Sequence, residues 1–285
     1  MTRVFLFPGQ GSQAPGMGAE LFPRFRDQVR TADEVLGYSI EQLCLEDPEG
    51  RLNLTQHTQP ALYVVNALTW MQTLEDGAEA PAFAAGHSLG EYNALLAAGV
   101  FDFATGLRLV QERGRLMGEA TGGGMAAIVG LDRRKIEDAL RGNSLDSIDI
   151  ANLNAPDQTV ISGPKEDLDR AGPVFKDAGA RMVVPLKVSA AFHSRYMKPA
   201  AESFARFLES FTFSRTAFPV VANVSARPYK DDEIPANLTE QIVSSVRWTE
   251  SIDYLLDQAP GADFEEVGPG KVLAGLLRKI QKART

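Results

Sequence analysis

Ala82-Phe83-Ala84-Ala85-Gly86-His87-Ser88-Leu89-Gly90-Glu91 reads as a short buried strand that turns sharply into a helix. Small apolar residues over 82–86 suit a strand covered on both faces, and a helical pattern follows over 89–98. Gly86-His87-Ser88-Leu89-Gly90 fits G-x-S-x-G, in which the turn lifts the serine oxygen out of the sheet and the glycines let backbone approach backbone. The helix N-terminus behind it offers unpaired N–H groups to a developing oxyanion. Ser88 is the candidate nucleophile, and the fold class expected is α/β with a mainly parallel sheet.

The flanking segments agree. Val4, Phe5, Leu6 and Phe7 form another short buried strand, which ends in Pro8-Gly9 and runs into a loop carrying Gly11, Gly16 and Gly18. Helical periodicity covers residues 19–36, 60–74 and 103–120. Gly122-Gly123-Gly124 then reads as a flexible break. Beyond it, strands at 125–131, 147–153, 159–162 and 180–188 alternate with helices at 132–141 and 165–178, although Gly172-Pro173 weakens the second helix. That βαββαβ order is the ferredoxin-like pattern. We expect a small ferredoxin-like subdomain, residues 123–189, inserted into a large α/β-hydrolase-like domain formed by residues 1–122 and 190–285. The large domain resumes with helices at 195–210, 238–244 and 250–258, and strands at 220–224 and 264–267. A last helix at 271–281 carries an apolar stripe of Val272, Leu276 and Ile280.

Composition narrows the function. The 285 residues carry a net charge of −8 and are 44% hydrophobic, ordinary for a globular protein of about two domains. The acidic balance lacks the basic footprint that nucleic acid requires, and gives no reason to expect an anionic membrane surface as partner. The single cysteine, Cys44, makes neither an internal disulfide nor a cysteine-built zinc site. No stretch approaches the ~18 apolar residues of a membrane span, and the N-terminal apolar run is too short for a signal peptide. A cytoplasmic monomer is expected.

A serine nucleophile needs a base. Of three histidines, His87 adjoins Ser88 on the sharp turn and should point elsewhere, and His57 sits in a polar helix-start region. His193, in Ser189-Ala190-Ala191-Phe192-His193-Ser194, follows the return from the inserted segment and can reach the seam between domains. No acid lies in a telling motif, so a backbone carbonyl is the expected partner of the imidazole, since it too fixes a tautomer.

The chain resembles the malonyl-CoA:acyl-carrier-protein transacylase family, including discrete acyltransferases that serve polyketide synthases in trans. The matching motifs follow one another along the chain: Phe7-Pro8-Gly9-Gln10-Gly11-Ser12-Gln13, Thr58-Gln59-Pro60-Ala61-Leu62, Gly86-His87-Ser88-Leu89-Gly90-Glu91, Arg113-Gly114-Arg115-Leu116-Met117, Asn152-Leu153-Asn154-Ala155-Pro156, Phe192-His193 and Val267-Gly268-Pro269-Gly270. The resemblance implies that Ser88 takes the acyl group as an ester and that His193 is general base, then general acid. It implies an oxyanion hole from the amides of Gln10 and Leu89. Arg113 would meet the malonyl carboxylate, a role suited to a planar guanidinium fork; spacing alone does not separate it from Arg108 or Arg115. The Arg247 carbonyl would orient His193. Phe192 resembles the bulky ring of malonyl-selective polyketide members that disfavours an α-methyl group, and Gln59, Asn152 and Met117 would line the pocket. The implied partners are malonyl-CoA and a phosphopantetheinylated acyl carrier protein, with no metal and no redox cofactor. The principal rival is an acyl hydrolase of the same fold that clears carrier proteins, for which Arg113 would have no use. An ordinary esterase lacks support because no His-Gly-Gly-Gly loop is present, and a non-catalytic docking scaffold would not need Ser88, His193 and Arg113 together.

Overall fold

Strand β1 (Arg3–Phe7) is buried on both faces, as its unbroken apolar run requires. In this computed structural model, which describes residues 2–284, its side chains alternate between two cores. Phe5 and Phe7 face one layer, where Trp70 meets them edge-on at centroid separations of 5.3 and 6.4 Å. Val4 and Leu6 face the other, with Ile252, Leu255 and Leu276. Each large side chain buried in this way contributes roughly 1.5–3 kcal/mol.

After β1 come α1 (Arg26–Leu36), α2 (Ile40–Leu45), α3 (Thr55–Glu75), β2 (Phe83–Gly86), α4 (Gly90–Ala97) and α5 (Phe103–Gly118). The middle of the chain holds β3 (Gly123–Val129), α6 (Arg133–Gly142), β4 (Asp149–Ala155), β5 (Gln158–Pro164), α7 (Lys165–Asp177) and β6 (Met182–Pro185). The rest comprises α8 (Lys198–Leu208), β7 (Val220–Val221), α9 (Ile234–Val243), α10 (Trp248–Gln258), β8 (Asp263–Glu266) and α11 (Val272–Arg284). Strands β7-β2-β1-β8 form a parallel sheet. Strands β4-β5-β3-β6 form a separate antiparallel sheet. Helices α6 and α7 cover one face of the second sheet through Ile136, Leu140, Ala171 and Phe175. Met125, Ala151 and Val160 join the main core.

Several expectations are corrected. The helix expected from residue 19 begins at Arg26, because Gly16 and Gly18 hold φ of +88° and +81° and Pro23 interrupts the chain. The helix expected from Pro60 begins at Thr55, with Pro60 inside it. The Gly122–Gly124 break is not loose: Gly123 and Gly124 pair with Pro164 and Gly163 in β3, and a Cβ on Gly123 would stand 2.7 Å from the Ala191 amide. The Gly172-Pro173 pair does not end α7. Val272 is 48% exposed, and the buried stripe of α11 is Leu273, Leu276, Leu277 and Ile280, which follows the i, i+3, i+4, i+7 pattern of a packed face. The ends of the expected large domain, residues 1 and 285, lie outside the described residues. Among the described residues no helix is long and apolar enough to cross a membrane.

Candidate active site

The serine elbow forms where β2 gives way to α4. Ser88 sits at φ +51°, a left-handed conformation that costs a non-glycine residue about 1–3 kcal/mol unless the surroundings hold it. The glycines of the motif have a steric reason. A Cβ on Gly90 would lie 2.0 Å from the Phe7 carbonyl oxygen, and one on Gly86 would lie 1.9 Å from the Gly90 carbonyl carbon. Gly9 presses onto the same turn, its would-be Cβ falling 2.2 Å from the His87 carbonyl oxygen and 3.6 Å from the Leu89 amide nitrogen. The loop that carries Gln10 is thus seated on the elbow. Asn66 holds it there by donating to the Pro8 carbonyl at 2.9 Å.

His193, on the segment that returns from the antiparallel sheet, places Nε2 2.7 Å from Ser88 Oγ. It too has a positive φ, +56°. Its Nδ1 lies 2.8 Å from the Gln241 carbonyl. A carbonyl only accepts, so Nδ1 carries the proton and Nε2 presents its lone pair to the serine hydroxyl. Burial, reinforced by the neighbouring Arg113 charge, pushes the imidazole down to about 3, so the ring is neutral near pH 7. The Arg247 carbonyl does not play the part expected of it: it accepts from the Ser251 amide and hydroxyl, both at 2.9 Å, at the start of α10. Gln241 lies in the last turn of α9, where carbonyls have no intrahelical partner and are available to the ring.

Arg113 projects from α5 and is 1% exposed. Its Nη1 donates to Gln59 Oε1 at 2.6 Å, and its Nη2 donates to Gln241 Oε1 at 2.8 Å and to Ser88 Oγ at 3.1 Å. Its guanidinium carbon also lies 5.6 Å from the centre of the Tyr92 ring. Gln59 donates onward to Met117 Sδ at 3.5 Å. Among the described residues Arg113 forms no ion pair, and its Nε has no hydrogen-bond partner. A buried cation whose direct hydrogen-bond partners are all neutral can take an anion, because guanidinium does not shed its proton in proteins.

One cavity of about 100 Å³ is lined by Ser88, His193, Arg113, Gln10, Leu89, Gln59, Met117, Asn152 and Phe192, together with His87, Met125, Leu186 and Val188. Every residue expected at the site lies here except Arg247. A larger groove of about 950 Å³ runs behind His193 between α6, β4, α8 and α9, but neither Ser88 nor Arg113 lines it, so the chemistry belongs to the smaller cavity. His87 points away as expected, its Nε2 2.7 Å from Asn154 Oδ1 and its ring edge-on to Trp248. His57 is half-buried in the first turn of α3, edge-on to Tyr38. Among the described residues no three His, Cys, Asp or Glu side chains gather to hold a metal ion.

Sequence reasoning missed Asn223, Gln241 and the use of Glu91. Asn223 Oδ1 accepts from the Ser88 amide at 2.7 Å, and Gln241 Nε2 donates to the Ser88 carbonyl at 3.0 Å. The only local signal was Glu91 itself, a carboxylate in the first turn of the helix behind the serine.

A strand–elbow–helix serine, a neutral imidazole and a buried guanidinium in one cleft define an acyl-transfer site. The chain belongs to the acyl transferase domain family, whose match covers residues 4–282. Among its relatives is BaeC of Bacillus velezensis, a polyketide biosynthesis malonyl CoA-acyl carrier protein transacylase, 55% identical over 98% of this chain and 96% of the relative. The solved malonyl CoA-acyl carrier protein transacylase of Burkholderia pseudomallei superposes with a TM-score of 0.96 at 51% identity, covering 99% of this chain and 98% of that one. A malonyl-transacylase solved in complex with its type II PKS acyl-carrier protein superposes at 0.94 with 41% identity, covering 99% and 94%.

Proposed function

We propose that this protein is an S-malonyltransferase that moves malonyl from malonyl-CoA to the phosphopantetheine thiol of an acyl carrier protein, for polyketide or fatty-acid synthesis. The observation that carries the reading is Arg113, a buried cation without an ion pair, 3.1 Å from the nucleophile. It gives a carboxylated acyl group a receptor beside the reacting bond. The relatives' activities support the same assignment. A carrier-clearing hydrolase of this fold is disfavoured, because varied acyl chains gain nothing from a guanidinium.

In this reading Ser88 Oγ attacks the thioester carbonyl as its proton passes to His193 Nε2, and the Gln10 and Leu89 amides receive the oxyanion. Removing one such donor typically costs about 10²–10³ in rate. The protonated ring then gives its proton to the departing CoA sulfur. The carrier thiol attacks the Ser88 ester by the reverse sequence, with no metal or redox cofactor required. Residues 1–122 with 190–285 would form an α/β-hydrolase-like unit and residues 123–189 a ferredoxin-like one, a division supported by the β4-β5-β3-β6 strand order. We place the reaction in the cytoplasm and on a monomer.

Intact-protein mass spectrometry tests the proposal. Malonyl-CoA should add one malonyl group to the protein, discharged by a phosphopantetheinylated carrier; no adduct, or release to water alone, would refute it. Phe192, 4% exposed in the cavity wall, is assigned to reject an α-methyl group. Phe192→Ser should raise the methylmalonyl-to-malonyl acylation ratio by about tenfold, within the range for one methyl group in a fitted pocket; an unchanged ratio would show that the ring only packs.

The pH profile follows from His193. A base with the ordinary histidine value of 6.5 would lose about tenfold in acylation rate on going from pH 7.5 to 5.5. The depressed value of about 3 keeps the free base populated over that interval, so protonation of the ring itself should cost the rate less than about threefold. A histidine NMR titration across the interval checks it, and a His193 ring that protonates near 6.5 would contradict the assignment.

A further inference from the structure

Beneath the elbow, one side chain that lies outside the cavity reaches the groups that line it and hold the nucleophile. Glu91 is 0% exposed. Its Oε1 accepts from the Tyr229 hydroxyl and, at 3.3 Å, from the Asn223 amide, and its Oε2 accepts from Gln241 Nε2. Three donors, two from the segment after β7 and one from α9, thus converge on one carboxyl group. Two of those residues continue upward. Asn223 takes the Ser88 amide at 2.7 Å and donates to the Gly86 carbonyl at 2.6 Å, gripping the turn on both sides of His87. Gln241 Nε2 spends its two protons on Glu91 and on the Ser88 carbonyl, which leaves Oε1 for Arg113 and the main-chain oxygen for His193. The N–H and C=O of a residue held at φ +51° are therefore clamped by two groups that share one anchor.

We propose that Glu91 is a positioning residue of the acyl-transfer site: its buried carboxylate fixes the Asn223 main chain and the Gln241 carboxamide, and through them the Ser88 elbow and the Arg113 guanidinium. Carboxylate chemistry is required there because every neighbour donates. A glutamine at 91 would keep its oxygen on the Asn223 main-chain N–H, which cannot accept, and so would turn its NH₂ group toward the Gln241 NH₂. Donor against donor turns the Gln241 carboxamide over, which points NH₂ at Arg113 and carbonyl oxygen at the Ser88 carbonyl. Burial pushes Glu91 up to about 7, opposed by the three hydrogen bonds and by the nearby Arg113 charge.

The Arg113 half of this inference rests on the malonyl reading and the Ser88 half does not, so the test has two arms on the full chain. Sulfonylation of Ser88 by phenylmethylsulfonyl fluoride, a neutral reagent, reports the elbow; the malonyl-to-acetyl acylation ratio reports the guanidinium. Glu91→Gln should slow sulfonylation per folded molecule and lower the ratio, each by about tenfold, the scale of one hydrogen bond to a charged group. A merely structural residue would lower the folded fraction and leave both quantities unchanged in what remains. A folded E91Q that keeps either at its wild-type value overturns the assignment. If the unaltered chain takes no malonyl, the functional reading fails, and the sulfonylation arm alone decides this one. Should E91Q not fold, Tyr229→Phe, which deletes a single donor, takes its place: about threefold slower sulfonylation supports the proposal, and the wild-type rate overturns it.

Discussion

Ser88→Ala is expected to take up no malonyl from malonyl-CoA, and to lose acyl transfer by about 10⁴-fold or more, as when a nucleophile is deleted from other serine enzymes. The expectation follows from geometry rather than from the motif alone. Ser88 Oγ is the oxygen that meets both His193 Nε2, at 2.7 Å, and Arg113 Nη2, at 3.1 Å. Among the described residues no other hydroxyl lines the cavity. The fold should survive, since alanine keeps the Ser88 amide bond to Asn223 and the carbonyl bond to Gln241, which hold the turn. Intact mass after incubation with malonyl-CoA, beside a thermal melt, reads both points. A malonyl adduct persisting on the folded variant would place the nucleophile elsewhere.

The elbow was legible from sequence because its constraints, whatever their source, fall on residues a few positions apart. Backbone passes within van der Waals reach of Gly86 and Gly90, so glycine is forced at fixed spacing around the serine. The strands were legible for a similar reason: a sheet covered on both faces leaves little choice but unbroken apolar runs such as Val4 to Phe7. His193 could be chosen by elimination, because His87 and His57 had local reasons to lie elsewhere. Gln241, Asn223 and Glu91 could not be found in that way. Their roles arise when α9 and the segment after β7 fold against α4, across sequence separations of 132 to 153 residues, and nothing in a neighbouring sequence window marks a glutamine whose carboxamide will end between two functional groups. The Arg247 error has the same origin. A carbonyl is needed, every residue has one, and which carbonyl faces the imidazole depends on where α9 ends. Val272 and the glycine break at 122–124 show the limit of pattern reading at element ends, where one residue of shift turns an apolar side chain to solvent or turns a supposed hinge into a paired strand.

Arg113→Ala should separate two acyl groups of nearly equal size. The guanidinium contributes to malonyl a fork that matches a carboxylate, inside a site where water does not compete. Truncating one partner of a buried, hydrogen-bonded charge pair costs about 2–5 kcal/mol. At about 1.4 kcal/mol per tenfold, that places the loss in kcat/KM for malonyl-CoA between about 30-fold and several thousand-fold. Acetyl-CoA offers no charge to the vacated space, so its rate should change by less than about tenfold, through loosening of Gln59 and Gln241 rather than through lost recognition. Those two carboxamides do lose a donor each, and the melting midpoint should fall with them, which is why the ratio of acyl groups and not the absolute rate carries the test. Arg113→Lys refines it: a lysine keeps the charge but not the two parallel bonds, so its malonyl-to-acetyl ratio should fall between those of the alanine variant and the unaltered chain. Parallel losses for malonyl and acetyl in both variants would make Arg113 a structural cation that braces the Ser88 elbow. The malonyl specificity proposed here would then have to come from another part of the cavity.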